Sequence, residues 1–304
     1  LQTERSRTSV PAAAPSLWVQ LLGAETRFYD AGGIRTRSIE AGSGHPLIFL
    51  HGIGGHAEAF ARNVIPLSRS FRVHAIDYLG HGYTASIDKP ITVDAYVKHL
   101  IDFMDAAGIE RAHLAGESLG GWIAAWAALL APERVADIVY IVGAKLAVPV
   151  DESAAKRTSE GRAELVRLSK QFADDPSREN IRARMAWLFF DPAKDLSEEL
   201  VDVRWELYQR SRSIKGENGV TPRPNENNGP ETDLTPERLR AIKHRTLVLW
   251  TDHNPSVGVA EAKSALDYLP NAEFALMERC GHWPQWENAE TFNRIVSEFL
   301  LGGT

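Results

Sequence analysis

The chain has 304 residues, 44% of them apolar and 24% charged, with a net charge of −6 at pH 7. That length suits one large domain with an insertion or two small ones, and the mild acidity excludes the basic footprint of a nucleic-acid or anionic-membrane binder. The single cysteine, Cys280, excludes an intramolecular disulfide.

Residues 1–24 read as an N-terminal arm without an apolar signal core. Ile34–Glu40 and Pro46–Leu50 read as strands, the second an apolar run that stops at His51-Gly52. Glu58–Leu67 has helical spacing, and Phe71–Ile76 is a further strand, ending in Asp77-Tyr78-Leu79-Gly80-His81-Gly82. Val93–Ala107 places Tyr96, Leu100, Ile101 and Met104 on one helical face. Ala112–Ala115 is a short buried strand, Leu119–Leu130 a helix of small and apolar residues, and Val135–Val142 another strand. Strands alternating with helices call for an α/β fold with a mostly parallel sheet.

The alternation stops near Ala144. Between residues 146 and 240 the chain is rich in charge and helical spacing, with an apolar patch at Met185–Phe190 and a polar loop at Lys215–Asp233. The sheet pattern then resumes with strand Thr246–Trp250, a helix around Ala260–Tyr268, strand Glu273–Met277 and a closing helix at Ala289–Leu300. The expected architecture is an α/β core, residues 25–145 and 241–304, interrupted by a helical lid at 146–240. No run of about eighteen apolar residues occurs, so no membrane span is expected. A soluble, cytoplasmic protein is the expectation.

Gly116-Glu117-Ser118-Leu119-Gly120 matches G-x-S-x-G between a predicted strand and a predicted helix, the setting of the α/β-hydrolase fold. There the nucleophile sits on a strained turn, so its neighbours must lack bulk, and the helix behind it aims N–H groups at developing negative charge. Ser118 is thus the expected nucleophile. His51-Gly52-Ile53-Gly54-Gly55 follows an earlier strand, so the N–H groups of Leu119 and Ile53 are expected to form the oxyanion hole. A serine needs a neutral imidazole beside it. Among the ten histidines, His282 follows the last strand and fits the chain order serine, acid, histidine. His51, His81 and His253 also fall in predicted loops and are the alternatives. Cys280, two residues before the base, reads as a buried filler rather than a reactive thiol.

GESLG, HGIGG, Asp77–Gly82 and especially Cys280–Glu287 (CGHWPQWE) resemble the meta-cleavage product hydrolases, C–C bond hydrolases of aromatic-ring degradation within the α/β-hydrolase superfamily. The resemblance implies an acid four positions after a tryptophan that ends a strand. In Trp250-Thr251-Asp252-His253-Asn254 that position holds Asn254, so Asp252 is the favoured acid and Asn254 the alternative. It also implies that Arg204, in Val203-Arg204-Trp205-Glu206, binds the keto-acid end of the substrate through its planar donor fork. Trp283 and Gly52 are expected to line the substrate site, with Met185, Trp187 and Phe189 on the lid's apolar side.

The implied reaction is hydrolysis of a 2-hydroxy-6-oxo-hexa-2,4-dienoate type ring-fission product, with no metal or organic cofactor. The partners implied are a small-molecule substrate and a second copy of the chain, with neither nucleic acid nor membrane. The chain departs from the family pattern in having HGIGG without proline, in Glu117 where His or Asn is common, and in Asn63 near rather than at a substrate-binding Asn position. The rival readings are a carboxylesterase or lactonase with the same nucleophile and base, and a non-catalytic ligand-binding protein on the same fold.

Overall fold

The structure is a computed structural model describing residues 15–87, 91–215 and 228–302, with backbone alone for 211–215. Most of the N-terminal arm and of the polar loop at 215–233 lies outside the described residues.

Eight strands form one sheet: β1 (Glu25–Ala31), β2 (Ile34–Ala41), β3 (His45–Leu50), β4 (Phe71–Ile76), β5 (Ala112–Glu117), β6 (Val135–Ile141), β7 (Thr246–Thr251) and β8 (Ala272–Met277). Their spatial order is β1-β2-β4-β3-β5-β6-β7-β8. The first two junctions, β1 with β2 and β2 with β4, are antiparallel, and all the others are parallel. The central strands are buried on both faces, which is why β3 and β7 carry the apolar runs Leu47–Leu50 and Leu247–Trp250. Strand β1 carries no such run, and the sequence reading missed it. Its pattern ETRFYDA is almost wholly exposed, as suits an edge strand defended by charge, and the Arg35 guanidinium lies 3.4 Å above its Phe28 ring.

The helices that accompany the sheet are α1 (Leu17–Gln20), α2 (Ala61–Leu67), α3 (Val93–Ala106) and α4 (Leu119–Leu130) before and between the first six strands. Between β6 and β7 come α5 (Glu152–Asp174), α6 (Arg178–Ala186), α7 (Pro192–Asp195), α8 (Glu198–Lys215) and α9 (Pro236–Ala241). Then follow α10 (Val259–Leu266), α11 (Pro284–Glu287) and α12 (Ala289–Leu301). Among the described residues no strand of the sheet lies between β6 and β7, and a single bridge, Leu146 with Leu234, ties the two ends of this helical insert.

Side-chain caps set where the insert's helices begin: Asp151 accepts the Ala154 N–H at 2.8 Å, and Ser177 accepts that of Asn180 at 3.2 Å. Helix α5 packs on α6, and α6 on α8. The apolar patch Met185, Leu188 and Phe189 is buried against the rest of the core, so the insert is seated on the sheet domain by hydrophobic contact.

Helix α4 is the element that matters most for chemistry. Its sequence LGGWIAAWAALL has small residues on the sheet side, so it lies tight against β3 and β5. At Gly120 the approach is backbone to backbone: a Cβ there would stand 2.0 Å from the Leu50 carbonyl oxygen. No other residue fits.

Candidate active site

Ser118 joins β5 to α4 with φ 77° and ψ −105°, a conformation that an L-residue adopts only under constraint. The constraint is visible. Its N–H donates to Ile141 O at 3.0 Å, and its carbonyl accepts from Ala144 and Trp122 at 2.9 and 3.1 Å. The neighbouring Leu119 N–H opens the helix, where no intrahelical acceptor exists for it, so it is available to a developing anion.

The turn after β3 is held from below. Tyr78 donates its hydroxyl to the His51 carbonyl, and the two rings stack with centroids 4.0 Å apart. His51 is fully enclosed, its Nδ1 2.8 Å from Gly52 O, and burial holds its pKa well below the ordinary histidine range. It is a structural group. Asp77 clamps the same region, accepting from Arg37 at 2.6 Å, from the Ala57 N–H at 2.7 Å and from the Tyr83 N–H at 2.8 Å. Arg37 in turn reaches Glu58 at 2.6 Å. Burial alone would weaken the Arg37 charge, but Asp77 and Glu58 outweigh it and raise its pKa. The Asp77–Gly82 motif therefore shapes the turns that border the site.

The base stands on the loop between β8 and α11. Glu287 gathers that loop: its carboxylate accepts the N–H groups of Gly281 at 3.0 Å, Trp283 at 3.1 Å and Phe190, from the insert, at 2.8 Å. The His282 N–H donates to Leu188 O at 2.6 Å, so the insert and the base loop are stitched together. This accounts for the run CGHWPQWE as a folded unit. Cys280 within it is buried, and its thiol is pushed up to about 12 by burial and by the Glu287 and Asp252 charges, which leaves it a protonated filler.

Ser118 and His282 line one small cavity, together with Gly52, Ile53, Glu117 and Trp283. Of the histidines considered from the sequence, His282 is the one on this cavity wall; His253 pairs with Asp252 at 2.8 Å on the half-exposed side of its loop. His282 Nδ1 is 2.8 Å from Asn254 Oδ1, and Nε2 is 3.0 Å from Glu117 Oε1. Among the described residues no hydrogen bond joins Nε2 to the Ser118 hydroxyl.

One expectation needs correction. Asp252, favoured as the acid, does not reach His282. Its carboxylate accepts the N–H groups of Arg279 at 3.0 Å and Cys280 at 3.3 Å. The reason is register: the Asp252 N–H still donates to Met277 O, prolonging the β7–β8 ladder, and the chain turns under the imidazole only two residues later. Gly52, expected to line the substrate site, does border the cavity, with its N–H committed to Glu117 Oε2 at 2.6 Å. On this geometry Asp252→Asn should leave kcat within about threefold of the wild type, since the change lies outside the reacting groups. A fall of two or more orders of magnitude in a steady-state assay would return Asp252 to the triad.

Across the cavity from Ser118, the insert contributes two arginines. Arg204, on α8, is 4% exposed, its guanidinium 5.8 Å from the Trp283 ring centroid, and its Nη1 is buried without a hydrogen-bond partner. Arg184, on α6, lines the same cavity and bonds Ser169 through Nε at 3.1 Å. Burial, then the Arg184 charge, lowers the Arg204 pKa to about 9. Because a guanidinium stays protonated in proteins, that electrostatic pressure is relieved by an anionic ligand. Sequence reasoning missed Arg184. The signal was the spacing Ile181, Arg184, Met185, which puts the arginine on the buried stripe of α6. It noticed Glu117 only as a departure and missed the part played by Glu287.

A family model described as the alpha/beta hydrolase fold matches residues 45–289. The chain is 31% identical to the 2-hydroxymuconate semialdehyde hydrolase of Pseudomonas sp. (strain CF600), over 89% of this chain and 92% of that one. It is 33% identical to a 2-hydroxy-6-oxononadienedioate/2-hydroxy-6-oxononatrienedioate hydrolase of Paraburkholderia phymatum, over 95% and 96% of the two chains. Among solved structures, the meta-cleavage product hydrolase of Pseudomonas fluorescens IP01 superposes with a TM-score of 0.73 at 27% identity, covering 93% of this chain and all of that one. A carboxylesterase of Bacillus subtilis, at 24% identity and TM-score 0.74, shares the fold. With its elbow serine, its buried base loop and relatives matched over nearly their whole length, the chain belongs to the α/β-hydrolase family and, within it, to the meta-cleavage product hydrolases.

Proposed function

We propose that this enzyme hydrolyses the C5–C6 bond of a 2-hydroxy-6-oxo-hexa-2,4-dienoate type ring-fission product. The observation that carries the reading is Arg204: a buried cation with an unpartnered Nη1, facing the cavity that holds Ser118 and His282. A neutral ester offers such a group nothing, whereas the carboxylate and C2 oxygen of a dienoate match its planar fork.

The helical insert, residues 146–240, acts as the lid, because α6 and α8 carry Arg184 and Arg204 to the cavity. Arg204 holds the keto-acid end, and Trp283 with Leu188 walls the remaining space. Ketonisation moves the C2 hydroxyl proton to C5. Attack on the C6 carbonyl, by Ser118 Oγ or by a water, sends its proton to His282. The oxyanion lies against the N–H groups of Leu119 and Ile53, each donor contributing about 2.7–4 kcal/mol at the transition state. The C5–C6 bond then breaks, and its electron pair spreads through the diene to the C2 oxygen, beside the Arg204 charge. 2-Hydroxypenta-2,4-dienoate leaves, and the carboxylic acid is released directly when water attacks or, after attack by Ser118, when water hydrolyses the acyl-serine ester.

The discriminating experiment compares a chromogenic ring-fission product with a simple aryl ester. The expected kcat/KM for the dienoate exceeds that for the ester by about tenfold or more, equivalent to at least about 1.4 kcal/mol of extra transition-state binding. The reverse order, with the dienoate left intact, makes the protein a carboxylesterase.

A further inference from the structure

In a serine hydrolase the imidazole that accepts the serine proton becomes a cation, and a nearby carboxylate stabilises it. Here the group on His282 Nδ1 is neutral: Asn254 Oδ1 at 2.8 Å. Among the described residues no carboxylate reaches that nitrogen. The negative charge is on the other side of the ring, where Glu117 Oε1 stands 3.0 Å from Nε2. Glu117 is the last residue of β5 and only 1% exposed. Its second oxygen accepts the Gly52 N–H at 2.6 Å. Position 52 is shaped around it, since a Cβ there would come 2.4 Å from that oxygen.

The hydrogen-bond partners of the ring bear on its state. Both contacts to His282 are acceptors. Asn254 Oδ1 also stands 3.5 and 3.4 Å from the Ser256 N–H and hydroxyl, while its Nδ2 is buried without a partner; turning the amide over would point its amino group at that N–H. A neutral imidazole carries one hydrogen and satisfies one of the two acceptors, whereas an imidazolium satisfies both. None of the other charged groups nearby bonds the ring, although Arg184 and Arg204 both feel the Glu117 charge. Arg184 and Arg204 lie on the lid side of the cavity, and Asp252 and Glu287 flank the base loop with their oxygens bonded to backbone N–H groups. Tyr78, which feels the Glu117 charge, gives its hydroxyl to the His51 carbonyl.

We propose that Glu117 takes over the charge that the residue after β7 lacks, and holds His282 in the resting site as an imidazolium whose ring is fixed by Asn254. The stored proton is on Nε2, which faces the cavity. Its transfer to the substrate carbon C5, with the C2 hydroxyl proton given up to solvent, completes the ketonisation and leaves a neutral imidazole, and the freed Nε2 lone pair then takes the proton of the Ser118 hydroxyl or of the attacking water. One proton leaves and one returns, Glu117 stays ionised throughout, and the imidazolium is restored. Glu117 acts through His282 and is a positioning residue. The charge state of the ring stands on the pairing of Ser118 with His282 alone, whereas the transfer to C5 rests on the proposed dienoate substrate.

The test is made on the full chain with Glu117→Gln and with Glu117→Gln/Asn254→Asp. Ring nitrogen NMR, with His282 assigned by its loss in His282→Gln, should show both nitrogens protonated at neutral pH in the wild type and one proton lost in Glu117→Gln. Labelling of Ser118 by a fluorophosphonate, which needs no ring-fission product, should rise with pH as Nε2 gives up its proton. Removing the Glu117 charge should move that rise down by about 1–3 pH units, and Asn254→Asp in the same chain should move it back up. A wild-type ring with a single proton at neutral pH, or a labelling profile that Glu117→Gln leaves in place, overturns the proposal. A merely structural Glu117 would lower the labelling rate without shifting either readout.

Discussion

Ser118→Gly is expected to abolish turnover and, at the same time, to make the protein more stable. The loss should be about 10⁴–10⁶-fold in kcat, the scale on which serine hydrolases fall when the nucleophile is removed and only binding and oxyanion donors remain. The stability gain comes from the backbone. Ser118 has φ 77° and ψ −105°, and a non-glycine residue in such a conformation costs about 1–3 kcal/mol. Glycine relieves that strain, less the entropy it returns to the unfolded chain. Denaturant unfolding of the wild type, Ser118→Ala and Ser118→Gly separates the two effects: alanine should lose activity at unchanged stability, and glycine should lose it with a higher midpoint. An active Ser118→Ala enzyme would remove the serine from the chemistry.

Arg204 should give the second large effect, with an equally divided signature. Removing one partner of a buried charge pair costs about 2–5 kcal/mol of binding, so Arg204→Ala should lower kcat/KM for a dienoate by roughly 30- to 5,000-fold at that scale. A neutral aryl ester, which makes no use of the guanidinium, should change by about threefold or less. Stability should move the opposite way. In the free enzyme Arg204 is 4% exposed with Nη1 unpartnered, and replacing an uncompensated buried charge by an apolar side chain of similar length is stabilising. Arg204→Met should therefore melt at a higher temperature than the wild type, and excess product-like carboxylate should raise the wild-type melting temperature but not that of the variant. Equal losses on dienoate and ester would make Arg204 a structural residue of the insert.

Which features were legible in the sequence follows from how each is encoded. Strands β2 to β8 were visible, most of them to within a residue or two, and the parallel strands at the centre of the covered sheet were the plainest because they are largely apolar. The edge strand β1 was hidden because exposed antiparallel strands carry polar and charged residues among the apolar ones, and Glu25–Ala31 mixes Glu25, Arg27 and Asp30 with Phe28 and Tyr29. The serine and histidine could be placed because each sits at a junction that the alternation of elements marks.

The partner of the histidine could not be placed with the same ease. Whether position 252 or 254 comes under the ring depends on where the β7–β8 ladder lets go of the chain, and no periodicity records that. Glu117 stood out as an unusual residue type, yet its role depends on a side-chain direction, across β5 toward Gly52 and His282, that only the packed sheet supplies. Arg184 was concealed in a helix crowded with surface charge.

The most direct measurement of the central claim is mass spectrometry of the products formed from a 2-hydroxy-6-oxo-hexa-2,4-dienoate in water enriched in heavy oxygen. Hydrolysis at C5–C6 predicts a carboxylic acid fragment carrying solvent oxygen in its new carboxyl group, together with 2-hydroxypenta-2,4-dienoate in equal amount. Recovery of the dienoate unchanged, under conditions in which the same preparation hydrolyses an aryl ester, would contradict it.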